Sequence, residues 1–189
     1  MQRIIVGVTG ATGAILAVKC LHLLREMEVE IHLIISQWAK ITLQQECQIS
    51  YKTLCELADV VHDSRNQGAS ISSGSFEVEG MIVIPCSMKT LASIRCGFAE
   101  NLISRAADVM LKERRPLILV TRETPLNSIH LENMLHLSQL GCVIFPPTPA
   151  FYNNPSTLDD AITHLVVRIL DQLHLSHPAA KRWKGLSKG

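Results

Sequence analysis

The chain has 189 residues, 47% of them hydrophobic and 4% aromatic, with 18 basic and 17 acidic side chains for a net charge of +1. That length and apolar fraction suit one domain with a sizeable core and exclude a disordered chain. The balanced charge offers no attraction for nucleic acid or an anionic membrane, and so few aromatics cannot build a base-stacking platform.

The chain opens on an apolar run at 4–8, which reads as a strand buried on both faces. Gly7, Gly10 and Gly13 recur every third residue, and the apolar positions then change to helical spacing over 15–24. This G-x-x-G-x-x-G spacing is neither the dinucleotide fingerprint nor the P-loop pattern. Strand, glycine turn and helix N-terminus nevertheless form an arrangement that holds an anion on backbone N–H groups, and Thr9 and Thr12 add hydroxyls there. A phosphate-bearing cofactor is the first expectation. The alternative is a tight turn that only packs a helix on a sheet.

Further strands are predicted at 30–35, 80–85, 116–121 and 142–145, with a short one near 60–62. Helical patterns separate them at 13–26, 37–47, 51–58, 88–97, 99–112, 127–140 and 156–174. The alternation predicts a single α/β domain with a doubly wound, mostly parallel sheet of Rossmann-like or flavodoxin-like type. In the last helix Ser156 reads as the N-cap with Asp159 at N3, and Leu158, Ile162, Leu165, Val166, Ile169 and Leu173 form one apolar stripe. Residues 63–75 and the proline-rich 146–155 read as loops, and a basic tail follows 175.

The cysteines at 20, 47, 55, 86, 96 and 142 form no C-x-x-C pair, and most lie in apolar periodic segments. They are expected to be reduced, mostly buried thiols of a cytoplasmic protein. No apolar run approaches the ~18 residues that span a bilayer. The N-terminus enters a strand directly, so no signal peptide is expected. The eight histidines show no metal-ligand spacing, and no metal is expected.

Ligands of open α/β sheets sit beyond the carboxyl ends of the strands. Here those ends carry Thr9 to Thr12, Ser36, Cys86 with Ser87 and Thr90, and Thr121 with Arg122, and the last runs into the loop holding Tyr152. Capping explains one such serine. Hydroxyls, an arginine and a tyrosine at five successive ends point to a cofactor cleft. Cys86 invites a nucleophile reading, but no histidine pairs with it in the sequence, so it reads as a buried thiol.

Seven stretches together carry a family resemblance: GVTGATG (7–13), ISSGSF (71–76), PCSMKTL (85–91), RAADVMLKERR (105–115), RETPL (122–126), IHLENM (129–134) and PAFY (149–152). They resemble the flavin prenyltransferases of the UbiX/Pad type, long labelled phenylacrylic or hydroxyarylic acid decarboxylases, over residues 3 to about 185. The resemblance implies a flavodoxin-like fold that binds FMN. It implies transfer of the dimethylallyl group of dimethylallyl monophosphate to N5 and C6 of reduced FMN, giving a prenylated cofactor for a separate UbiD-type decarboxylase. It further implies a homo-oligomer, a dodecamer, with active sites where subunits meet. Residues 1–175 would then be the FMN-binding domain, and 176–189 a tail contributing to the active site.

Carried over by position, Gly10, Ala11 and Thr12 would hold the FMN phosphate region, with Ser36, Ser87, Met88, Lys89, Thr90 and Arg122 as further flavin contacts. Many members have Ser where this chain has Thr12, which keeps the hydroxyl. Tyr152 and Arg168 match contacts to the prenyl phosphate. Lys112, Arg105 and Glu123 match other charged active-site residues, Glu46 a glutamate that helps proton handling, and Trp183 a C-terminal aromatic over the prenyl site. Without the resemblance, Arg168 reads as a solvated surface arginine and 112–115 as a charged helix terminus.

The implied chemistry needs these residue types. Breaking an allylic C–O bond leaves a phosphate dianion, which cations and a phenol stabilise, and an allyl cation, which an aromatic face stabilises. Water must be excluded from that cation. Three other readings fit the sequence less well. An FMN-dependent cysteine decarboxylase should show an early catalytic histidine and Asn-rich and Pro-x-Met-Asn motifs, which are missing. A non-catalytic FMN-binding subunit of a hydroxyarylic acid decarboxylase fits the charged positions poorly. A nicotinamide enzyme conflicts with the glycine spacing and with Ser36 at the second strand end.

Overall fold

A computed structural model of the chain describes residues 2–183 and 185. The rest of the expected tail, residues 184 and 186–189, lies outside them. Six parallel strands form one sheet in the order β3-β2-β1-β4-β5-β6. They are β1 (Arg3–Val8), β2 (Glu30–Ile35), β3 (Val60–His62), β4 (Gly80–Cys86), β5 (Leu117–Thr121) and β6 (Val143–Ile144). This strand order is the Rossmann one among doubly wound sheets. The helices are α1 (Ala14–Glu26), α2 (Gln37–Cys47), α3 (Tyr51–Cys55), α4 (Met88–Arg95), α5 (Leu102–Lys112), α6 (Ser128–Gln139) and α7 (Leu158–Leu170).

The central strands are apolar along most of their length because both sheet faces are covered, with His32 of β2 the buried polar exception. Ile4, Val6 and Val8 of β1 join one core with α1 and α7, while Ile5 joins the other with α4 and α5. The β3 edge is short and its Val60 and Val61 are exposed. Since β1 lies between β2 and β4, the winding reverses there, and a crevice opens outside the carboxyl ends of β1 and β4.

Several local expectations shift. The α7 cap sits one residue later than expected. Thr157 Oγ1 accepts the Asp160 N–H at 3.1 Å, and Asp160 in return accepts the Ser156 and Thr157 N–H groups at 3.0 Å. Adjacent capping-type residues, Ser156 and Thr157, make this register ambiguous in the sequence. Leu158 leaves the expected stripe and is 76% exposed, while Ile162, Leu165, Val166 and Ile169 are buried. Each such burial is worth about 1.5–3 kcal/mol. The helix ends at Leu170 and gives way to a short 3₁₀ turn, Asp171–Leu173. Another, Ser70–Ser72, interrupts the loop expected at 63–75. All six cysteines are free, but only Cys20, Cys86 and Cys142 are buried, and Cys96 is exposed. Among the described residues no helix is long and apolar enough to cross a membrane.

Candidate active site

The crevice is shaped by what the strand ends do to the backbone. Thr9 Oγ1 donates to the Pro85 carbonyl at 2.6 Å and accepts the Ser87 N–H at 2.9 Å, tying the ends of β1 and β4 together. Ser36 caps α2 by accepting the Ala39 N–H at 3.2 Å, and Ser87 caps α4 by accepting the Thr90 N–H at 3.3 Å. Each cap satisfies one orphan donor of its helix. The preceding N–H groups, of Gln37 and Trp38 in α2 and of Met88 and Lys89 in α4, have no intrahelical acceptor. Ser36, Ser87, Lys89, Thr90, Gly10 and Trp38 line one cleft of about 480 Å³, together with Arg65 and Asn101. Two helix N-termini and a lysine therefore face one space of ligand size.

Gly10 is required for this wall. A Cβ there would come within 2.5 Å of the Trp38 Cβ. Gly13 has φ 101°, a left-handed conformation that glycine adopts without strain, and it leads directly into α1. The α1 N-terminus is already filled. Glu46, the penultimate residue of α2, accepts the N–H groups of Gly13 at 2.8 Å and Ala14 at 2.9 Å. Burial pushes the Glu46 carboxyl up, but the Thr12 hydroxyl, the Ala14 and Gly13 N–H groups and the Arg122 cation outweigh it and hold the group below the usual carboxylate range.

Arg122 follows β5 and is half-buried, its N–H bonded to the Cys86 carbonyl at 3.1 Å. Glu123 beside it accepts the Thr124 N–H at 3.0 Å. Cys86 itself is fully buried, and burial, with the Cys142 thiol nearby, pushes its thiol up and out of nucleophilic use.

Tyr152, Arg168 and Trp183 come from a loop, a helix and the tail, and the fold gathers them on the α7 side. The Tyr152 ring is edge-on to Trp183 at 5.5 Å and to His164 at 5.7 Å, with its hydroxyl 3.3 Å from His164 Nε2. Arg168 is one turn after His164, exposed, and bonded to Asp171 at 2.7 Å.

Arg105 and Lys112 lie elsewhere. Arg105 donates to the Ser72 carbonyl at 3.2 Å and to Asp108 at 2.8 Å. Lys112 pairs with Glu113 beside Gly74, where α5 turns toward the start of β5. It is thus at the amino edge of the sheet, about 17 Å from the carboxyl edge given the rise along five strand residues. One chain therefore does not bring together all the residues singled out in the sequence: Glu46 stands at the α1 N-terminus within reach of the Arg122 charge, Glu123 is exposed beside Arg122, the Tyr152 group lies on the α7 side, and Arg105 and Lys112 are spaced along α5. Trp38, His164, Asp171 and Arg182 were not singled out. Trp38 follows a strand-end serine by two residues, and His164 precedes Arg168 by one helical turn, which were the available signals.

The flavoprotein family model matches residues 1–168. A probable UbiX-like flavin prenyltransferase from Escherichia coli is 58% identical over 186 residues, covering 98% of this chain and 94% of the relative. The crystal structure of AnUbiX in complex with FMN and dimethylallyl pyrophosphate superposes with a TM-score of 0.97 at 52% identity, covering 98% of this chain and 99% of that one. A dodecameric FMN-dependent UbiX-like decarboxylase from Escherichia coli gives 0.95 at 58%, covering 97% and 100%. The chain belongs to the UbiX-like flavin prenyltransferases, a branch of the flavoprotein family.

Proposed function

We propose that this chain is a flavin prenyltransferase that joins the dimethylallyl group of dimethylallyl monophosphate to reduced FMN, in a homododecamer, for use by a UbiD-type decarboxylase. The observation that carries this reading is the presence in one chain of two unlike half-sites. One is a crevice with two helix N-termini and a lysine. The other is a cationic and aromatic group suited to an allylic phosphate.

The residues fit FMN. Because Glu46 already occupies the α1 N–H groups, the FMN phosphate is assigned to the α4 and α2 N-termini, through Ser87, Lys89, Thr90 and Ser36. The Gly10–Thr12 turn then forms the wall beside it. When bound, the reduced flavin supplies the nucleophilic N5 and C6. Arg168 and the Tyr152 hydroxyl donate to the donor's phosphate as its C–O bond breaks, and negative charge grows there. Trp183, edge-on to Tyr152 at 5.5 Å, supplies the aromatic face that stabilises the allyl cation and helps to exclude water in this reading. Arg122 and Glu46 hold the flavin edge. Lys112 and Arg105 serve the site of a neighbouring subunit.

The test is incubation of the protein with reduced FMN and dimethylallyl monophosphate or pyrophosphate, followed by mass spectrometry of the flavin. A prenyl mass gain is expected, and the product should activate an apo UbiD-type enzyme. Consumption of an aromatic acid by this protein with FMN, without donor or partner, would overturn the reading in favour of a direct decarboxylase.

A further inference from the structure

We propose that Asp171 is a positioning residue of the prenyl-donor site, whose carboxylate orients Arg168 and straps the C-terminal segment down through Arg182, so that Trp183 stands against Tyr152. The proposal rests on the reading of Tyr152, Arg168 and Trp183 given above.

Asp171 begins the 3₁₀ turn after α7, and its side chain is only 12% exposed. Arg182 closes on it with both ends of its guanidinium fork, Nη2 reaching Oδ1 at 2.6 Å and Nη1 reaching Oδ2. Arg168 donates to the same Oδ2 through Nη1 at 2.7 Å. Two cations on one carboxylate leave one positive charge in excess. The bidentate pair belongs to Arg182, which fixes direction as well as distance. Among the described residues Arg168 gives up a single N–H, through Nη1, which leaves its Nε and Nη2 donors for a phosphate.

The segment that Arg182 ends is pinned at its start too. His177, 5% exposed at its side chain, bonds Glu26 of α1 at 3.0 Å. With residues 177 and 182 both anchored, the indole of Trp183 follows immediately and meets Tyr152 edge-on at 5.5 Å. Asp171 thus joins the one exposed arginine of the apolar α7 helix to the tail that carries the aromatic.

The test is steady-state prenyl transfer by the full-length protein with dimethylallyl monophosphate varied at saturating reduced FMN. Asp171→Asn keeps the size but loses the charge. It should raise the donor KM about tenfold and lower kcat, with FMN affinity within twofold of wild type. Arg182→Gln should lower kcat with little change in KM, because Arg168 keeps its partner. Asp171→Glu should recover part of both losses. A role confined to stability would instead weaken FMN binding and activity together, without this split. Wild-type KM and kcat in Asp171→Asn would overturn the proposal. If that variant does not assemble, Arg182→Gln, at an exposed side chain, decides alone, and wild-type kcat there would overturn it. Absence of prenyl transfer in the wild-type protein would instead overturn the proposed function.

Discussion

Tyr152 and His164 share a hydrogen bond between the phenol oxygen and Nε2 at 3.3 Å, although they lie on a loop and on the buried side of α7. Burial, and then the cations Arg168, Lys181 and Arg182 against the opposing carboxylate of Asp171, hold the His164 imidazole below its ordinary range. The ring is therefore neutral in the folded protein at neutral pH. A base with a lowered folded value stabilises fully above its unfolded value near 6.5 and loses that contribution as pH falls below it. His62 behaves alike through burial and His32. His164→Gln should reduce the fall in Tm between pH 7.5 and pH 5.5, with the His62 share remaining. An unchanged pH slope would show that His164 is not buried neutral.

Glu46 yields a prediction of opposite chemistry. As an acceptor at the α1 N-terminus it acts like a cap supplied from another helix, so Glu46→Ala should cost about 1–2 kcal/mol in urea unfolding. Glu46→Gln keeps an acceptor and loses charge, and should cost less. The carboxyl is held low in the folded state, so its contribution is complete above the unfolded value near 4.3 and disappears as pH falls through the lower folded value. The gap between wild type and Glu46→Gln should close with acidification. A gap independent of pH would rule out the charge as its source.

Gly10→Ala tests the crevice wall. The added methyl meets the Trp38 Cβ at 2.5 Å, so Trp38 must move and the wall with it. FMN affinity, followed by flavin fluorescence titration, should fall at least tenfold. Adding Trp38→Gly should restore it only in part, because the backbone of residue 38 also crowds the site at 3.2 Å. Undiminished affinity in Gly10→Ala would place the flavin elsewhere.

Trp183→Ala should leave FMN bound and slow single-turnover prenyl transfer by up to about 30-fold, the equivalent of ~2 kcal/mol for a desolvated cation–π contact. Trp183→Phe should recover most of the rate. Equal rates for Ala and Phe would remove the aromatic face from the mechanism.

The parallel sheet was legible because β4, β5 and most of β1 are continuous apolar runs, which only a doubly covered strand tolerates, and β2 departs from that only at Glu30 and His32. Ser36 and Ser87 were legible as strand-end hydroxyls, and both turned out to be helix caps lining the crevice. The filled α1 N-terminus was not legible, since it depends on Glu46 reaching across 33 residues of sequence to Gly13. Asp171 and Arg182 were equally silent. Each is an ordinary charged residue until the tail folds back and makes them partners. Leu158 misled because apolar periodicity reports a helix face but not where the helix leaves its core.

The position of Lys112 at the far edge of the sheet makes catalysis on the proposed reading a property of the assembly. A subunit with Lys112→Ala can still lend an intact crevice to a neighbour, and a subunit with Gly10→Ala can still lend its lysine. Mixed and reassembled at limiting FMN, the two impaired parents should regain a fraction of wild-type turnover set by the statistics of neighbouring. By the same logic a Lys112→Ala copy silences a neighbour's crevice while its own is completed by a normal neighbour, so in mixed assemblies with wild type the turnover should fall in simple proportion to the mutant share.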